Sequence, residues 1–279
     1  MKIFISVLFS FCWMMTKGQE LFVYTEPASN MPAHSLSAKL SADYIASQSP
    51  ENRPMQRYTP EVMLGVSKKI MLHTGLTFAD MFTERFRWES VYVYGKYRFL
   101  SHDDIHTHFR MAFFADLAYS RNKFHYDEVN LRGDKSGAQL GVIATQLWNK
   151  LAVSATVSNS QVLSGARGDK PASYNPSRIY QSMNYSLSAG YLLLPFEYTD
   201  YRQTNVNLYT ELLAQQTLDR RTYYVDLAPA VQIIFNSNTK VNIGHRFQLK
   251  GDMTRIAENS WQVGVERTFL GVVKKRERK

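Results

Sequence analysis

The sequence predicts an all-β protein, an antiparallel transmembrane β-barrel of about twelve strands. Three observations carry that prediction. Apolar and polar residues alternate with period two from residue 34 to the neighbourhood of Phe269. The connections between these stripes alternate between long and short. A short apolar segment behind a positive N-terminus precedes them all. Period-two alternation is the signature of a strand with one apolar and one polar face. A barrel with both ends on one side of a membrane has tight turns on that side and longer loops on the other.

Taken in order, the chain starts with Lys2, an apolar run from Ile3 to Met15, and small residues Thr16 and Gly18 ahead of Gln19. That is the pattern of a secretory signal peptide over 1–18. It holds Cys12, the single cysteine, so the exported chain would have no disulfide. Residues 19–33, with Pro27, Asn30 and Pro32, read as a periplasmic lead-in. The barrel itself is expected over 34–270, and 271–279 form a basic tail. The first stripe is Leu36, Ala38, Leu40, Ala42 and Tyr44. Tyr58 to Val66, Leu72 to Phe78 and Val91 to Phe99 give the next three. The fifth, Phe109 to Tyr119, is the clearest, with Arg110 and Asp116 on its other face. The sixth, 137–148, has no clear phase, and Gly137 and Gly141 suggest a bulge there. Further stripes begin at Leu151, Met183, Val206, Val225, Val241 and Trp261, with His245 an exception on an apolar face.

Long connections are expected at 46–56, 79–87, 120–136, 159–181, 216–223 and 251–259. Short ones are expected at 67–69, 100–106, 149–150 and 236–239. The segment 195–204, with Pro195, is a long connection on the short side. A soluble sandwich has no reason to alternate loop lengths in this way, although its strands would alternate equally well.

Composition narrows the function classes. The chain has 17 Tyr and 16 Phe, residues suited to strands and to membrane interfaces. Mean hydropathy is −0.32, and no apolar run reaches the roughly 18 residues of a membrane helix. The net charge of +9 comes from Lys and Arg spread along strands and loops, with a dense run only at Lys274, Lys275, Arg276, Arg278 and Lys279. No nucleic-acid-binding motif accompanies it. The expected partners are the outer-membrane lipid bilayer and the barrel-assembly machinery, with no nucleic acid and no cofactor. None of the seven histidines has Ser two positions on, and no Gly-x-Ser-x-Gly occurs, so no enzyme is expected.

The polar faces carry Lys39, Asp43, Glu61, Arg110, Asp116, Glu211, Asp226, Arg246 and Glu266. In a barrel these face the lumen, where they either orient a solute or pair with one another. Twelve strands fall between small filled barrels and wide aqueous ones. A candidate metal site lies in Ser101–His108, with His102, Asp104, His106 and His108 as the imidazole and carboxylate donors. The bland reading of the same residues is a solvated turn. Arg-Gly-Asp-Lys occurs at 132–135 and 167–170, where turn-forming Gly-Asp explains it.

Across 206–269, "VNLYTELLAQ", "DLAPAVQIIFNSNTKVNIGHRF" and "WQVGVERTF" together resemble the transporter-like outer-membrane barrels of the MetA-pathway-of-phenol-degradation family. The resemblance covers about a quarter of the chain and implies a channel or transporter for a small hydrophobic or aromatic solute. It implies no particular binding residue. The rival is a non-conducting barrel that presents its long loops to partners.

Overall fold

The computed structural model describes residues 22–47, 52–105, 107–122, 126–163, 179–196, 200, 202–219 and 221–272. It is a closed antiparallel barrel of 12 strands. The strands are β1 (Leu36–Ile45), β2 (Met55–Gly65), β3 (Ile70–Ala79), β4 (Arg87–Asp103), β5 (Thr107–Ser120) and β6 (Gly137–Trp148). They continue with β7 (Leu151–Val162), β8 (Gln181–Leu194), β9 (Asn205–Thr217), β10 (Tyr223–Phe235), β11 (Thr239–Gly251) and β12 (Asn259–Phe269). Each strand pairs with the next, and Leu36 of β1 faces both Leu64 of β2 and Phe269 of β12, which closes the sheet. Closure leaves no unpaired strand edge, the condition for a sheet to sit in hydrocarbon.

Alternation sorts the side chains. Leu40, Val62, Val93, Phe113, Val157, Leu187, Ile243 and Val265 point outward and are exposed. Exposed aromatics flank this band, with Tyr44, Phe86, Tyr119 and Trp261 towards the long loops. Tyr97, Phe99, Trp148, Tyr191, Phe235 and Phe269 lie towards the short turns. Trp261 and Phe269 are separated by about 26 Å of strand at roughly 3.3 Å per residue, on the scale of the ~25 Å apolar band of a membrane barrel. His245 lies on this outer face, its ring 4.5 Å from that of Trp261 and 5.5 Å from that of Phe247.

Several expectations are corrected. β6 pairs without interruption through Gly137 and Gly141, so there is no bulge at either. Gly141 instead makes room: a Cβ there would lie 2.5 Å from the Phe114 ring and from Ser158. The register shifts fall at Thr77/Phe78, Arg98/Leu100, Leu192/Leu194 and Val225/Asp226. The connection expected at 100–106 shrinks to 104–106, because β4 runs on to Asp103. The 218–222 connection is short although it lies on the long-loop side. Asn149 and Asn236 take positive φ, 48° each, in their turns, a conformation Asn tolerates.

Candidate functional site

The largest departure from expectation lies at the N-terminus. Residues 22–33, read from sequence as a periplasmic lead-in, run through the lumen as a strap. One end packs near the 149–150 turn, where Phe22 and Val23 meet Leu147, Ala152, Tyr209 and Ala230. The middle, at Ala28, packs against Met71, Tyr94, Ala112, Phe114 and Ile143. The other end meets β2, where the Gly65 carbonyl accepts from His34 N–H, and continues into β1.

The strap is held chiefly by polar groups of the wall. Glu211 is fully buried. Its Oε1 accepts the backbone N–H of Val23 and of Tyr24, both at 2.9 Å. Its Oε2 accepts the hydroxyls of Thr25 at 2.6 Å and Ser188 at 3.2 Å. A buried carboxylate is tolerable when its lone pairs are filled in this way. Lys96 Nζ, also buried, reaches Glu26 at 3.2 Å and the carbonyls of Pro27 and Ser29 at 2.7 and 2.9 Å. Arg110 donates to Ser29 Oγ at 2.7 Å, and Ala28 N–H donates to Thr145 Oγ1 at 2.9 Å. Gly244 lies under the Tyr24 ring, where a Cβ would come within 2.8 Å. Burial is the largest single influence and would raise the Glu26 pKa, but Lys96, His73, Lys39 and Arg132, with Lys96 foremost, together outweigh it and lower the value to about 2. A depressed folded-state pKa means that this clasp stabilises above the unfolded carboxylate range and is lost only as pH falls towards about 2.

A second insert comes from the opposite mouth. Residues 126–136 of the connection after β5 fold inward, and Val129 exchanges two hydrogen bonds with the Gln215 side chain, at 2.7 and 2.9 Å. Asp134 pairs with Arg57, which also lies 3.5 Å from Glu89. Glu128 lies 3.4 Å from Arg255 and 3.6 Å from Arg246. Arg255, from the 252–258 connection, grips both oxygens of Asp226 at 2.8 Å.

Strap and loop leave a chamber of about 850 Å³ between them. Its lining reaches Ser237, Asn238 and Thr268 at the short-turn mouth and Asn130, Ala257 and Glu258 at the long-loop mouth. β1, β2, β11 and β12 form one wall of it.

All the charged residues singled out from sequence point into the lumen, and all but Glu211 pair there with neighbouring polar or charged side chains. Lys39 lies 3.5 Å from Glu61, and Glu266 accepts from Lys240 at 2.9 Å and Ser37 at 2.8 Å. Asp226 binds Arg246 at 2.5 Å as well as Arg255. Asp43 accepts from Gln262 at 2.9 Å, Arg132 lies 4.0 Å from Asp116, and Arg110 pairs with Asp103 at 2.7 Å. Glu211 stands apart, committed to the strap.

The histidine-rich segment is distributed differently. His102 is exposed on β4, and Asp104 accepts from Ile105 N–H in the turn. His108 points inward with Nδ1 2.9 Å from Asp103. His106 and the second Arg-Gly-Asp-Lys lie outside the described residues, as do residues 1–18. Among the described residues no group of three or more His, Cys, Asp or Glu side chains comes together as metal ligands. Sequence reasoning missed Lys96, Arg57, His73, Glu89, Glu128, Arg132 and Arg255. Lys96, Arg57 and Glu89 sit on polar strand faces and were legible; the loop residues carried no such signal.

The fold and lumen thus define a transmembrane β-barrel with a strap and an inward loop. No family model and no curated protein matches the chain. Among solved structures, the chain is similar to the COG4313 outer membrane channel from Pseudomonas putida F1, with a TM-score of 0.56 and 9% identity over 89% of this chain and 100% of that one. It also superposes on the KdgM porin, with a TM-score of 0.48 and 9% identity over 84% and 99% of the two chains. The NanC porin gives 0.48 and 12% over 82% and 98%. The likeness to the first of these shows the barrel fold.

Proposed function

We propose that the protein is an outer-membrane channel for a small solute, exported behind a cleaved signal peptide. One observation carries the reading: the chamber between strap and loop is lined by residues from both mouths, as expected of a lumen that the two inserts narrow without filling. About 850 Å³ is the size range of small-molecule sites. Charges of both signs and the rings of Tyr24, Tyr94, Phe114 and Tyr224 line it, surfaces able to orient a solute with a flat or polar part. The hydrophobic or aromatic character of that solute rests on the sequence resemblance. The named likeness to an outer membrane channel supports the location.

The rival, a non-conducting barrel, is favoured by the strap's dense hydrogen bonding. Planar-bilayer recording on the purified protein separates the two. Discrete current steps are expected; a silent bilayer from folded, heat-modifiable protein would favour the rival.

Orientation follows from loop length, with the long connections outside the cell. A cysteine replacing exposed Glu84 in the 80–86 connection is expected to react with an impermeant maleimide on intact cells. One replacing Lys69, in the 66–69 turn, is expected to react only after the outer membrane is opened. Equal labelling of the two would reject this topology.

A further inference from the structure

Five inward side chains on β2 to β5 form a patch that neither the strap nor the ion pairs fully use. Register places His73 beside Tyr94 and Tyr94 beside Asp116, while Gly75 stands between Glu61 and Tyr92. Glu61, His73, Tyr92, Tyr94 and Asp116 are each at most 3% exposed. Asp116 Oδ1 and the Tyr94 hydroxyl are buried and make no hydrogen bond among the described residues. The neighbouring cations stop short of direct bonds: Lys39 Nζ is 3.5 Å from Glu61 Oε2, and Arg132 Nε is 4.0 Å from Asp116 Oδ2. The Arg132 guanidinium lies over the Tyr92 ring, 5.1 Å from its centre. Glu61, Tyr94, Asp116 and Arg132 all line the chamber.

We propose that this patch is a binding pocket for an organic cation, an ammonium or guanidinium group on a passing solute, with Arg132 held at its entrance as a tethered competitor. The inference rests on the channel reading for its solute, and names the class that solute belongs to. Two carboxylates, with the Tyr92 ring that now carries Arg132, attract a cation and repel an anion. A buried carboxylate oxygen without a donor is costly, so it gains from any N–H that reaches it. A bare metal ion is not the occupant, since no set of three ligating side chains converges among the described residues. Arg132 itself shows the chemistry the patch takes: a planar cation laid on a ring beside a carboxylate.

The test is calorimetric titration of the full-length protein in detergent micelles with millimolar ethylguanidinium, with neutral ethylurea as the control. Arg132→Ala is expected to bind ethylguanidinium about tenfold more tightly than the wild type, because the tethered rival is gone. Asp116→Asn added to it is expected to lower that affinity by about tenfold or more. Ethylurea is expected not to bind. Arg132→Gln, which keeps side-chain length without charge, serves if Arg132→Ala fails to fold. The proposal is overturned if the folded Arg132 variants show no saturable binding, if ethylurea binds equally, or if Asp116→Asn changes nothing. A silent bilayer with saturable binding would remove the pathway and keep the pocket. Current steps without saturable binding would do the reverse.

Discussion

Glu211→Ala is expected to raise single-channel conductance severalfold, with larger current fluctuations, while the barrel stays folded. The substitution removes the acceptor for three donors of the strap, Val23 N–H, Tyr24 N–H and the Thr25 hydroxyl. Hydrogen bonds to a charged group are worth about 1.5–3 kcal/mol each, so the strap loses at least about 3 kcal/mol of its hold. One buried and one partly buried N–H group are also stranded, which favours release further. The barrel wall loses little, since its own ladders between β8, β9 and β10 do not involve this side chain. Glu211→Gln keeps one acceptor oxygen and is expected to fall in between. An unchanged conductance in folded Glu211→Ala would show that the strap does not limit the current.

Phe113→Arg is the second large effect, and it acts on folding. Phe113 points outward from β5 and is 43% exposed, between Ala112 and Phe114, which are buried on the lumen side. An arginine on the lipid face near the membrane midplane costs roughly 2–4 kcal/mol in a barrel. Loss of the heat-modifiable folded band on a gel is the expected readout. Met111→Ala, on the same strand and also directed outward, is a control expected to keep that band. Full retention of the folded band by Phe113→Arg would mean that β5 presents its other face to lipid.

The barrel was legible because its outer surface obeys one rule along every strand. Lipid selects apolar residues at every second position, and a one-residue slip would place Arg110 and Asp116 in hydrocarbon. The strap was not legible, because its seat breaks the rule from inside. Met71, Phe114, Ile143 and Leu147 are apolar yet face the lumen, where they pack against Ala28, Phe22 and their neighbours. On β6 this makes both faces apolar, which is why that stripe showed no phase. Read the other way, apolar residues on the inward face of β3, β5 and β6 were the available sign that something fills the lumen. Their partner, residues 22–33, has no alternation of its own, so its prolines and polar residues resembled an ordinary linker. The charged lumen residues show the same division. Glu211 lay on a strand and was identifiable by face, but its engagement with a segment 187 positions away in sequence could not be read from spacing. Arg132, Asp134 and Arg255 lie in connections, where turn-forming composition masked their inward course.

The central claim is that the lumen is a continuous path narrowed by residues 22–33. Planar-bilayer recording of the purified protein beside a variant lacking residues 22–33, both shown to be folded by heat modifiability, tests it most directly. Small steps from the former and severalfold larger steps from the latter are expected. Silence from both, or identical steps from both, would contradict it.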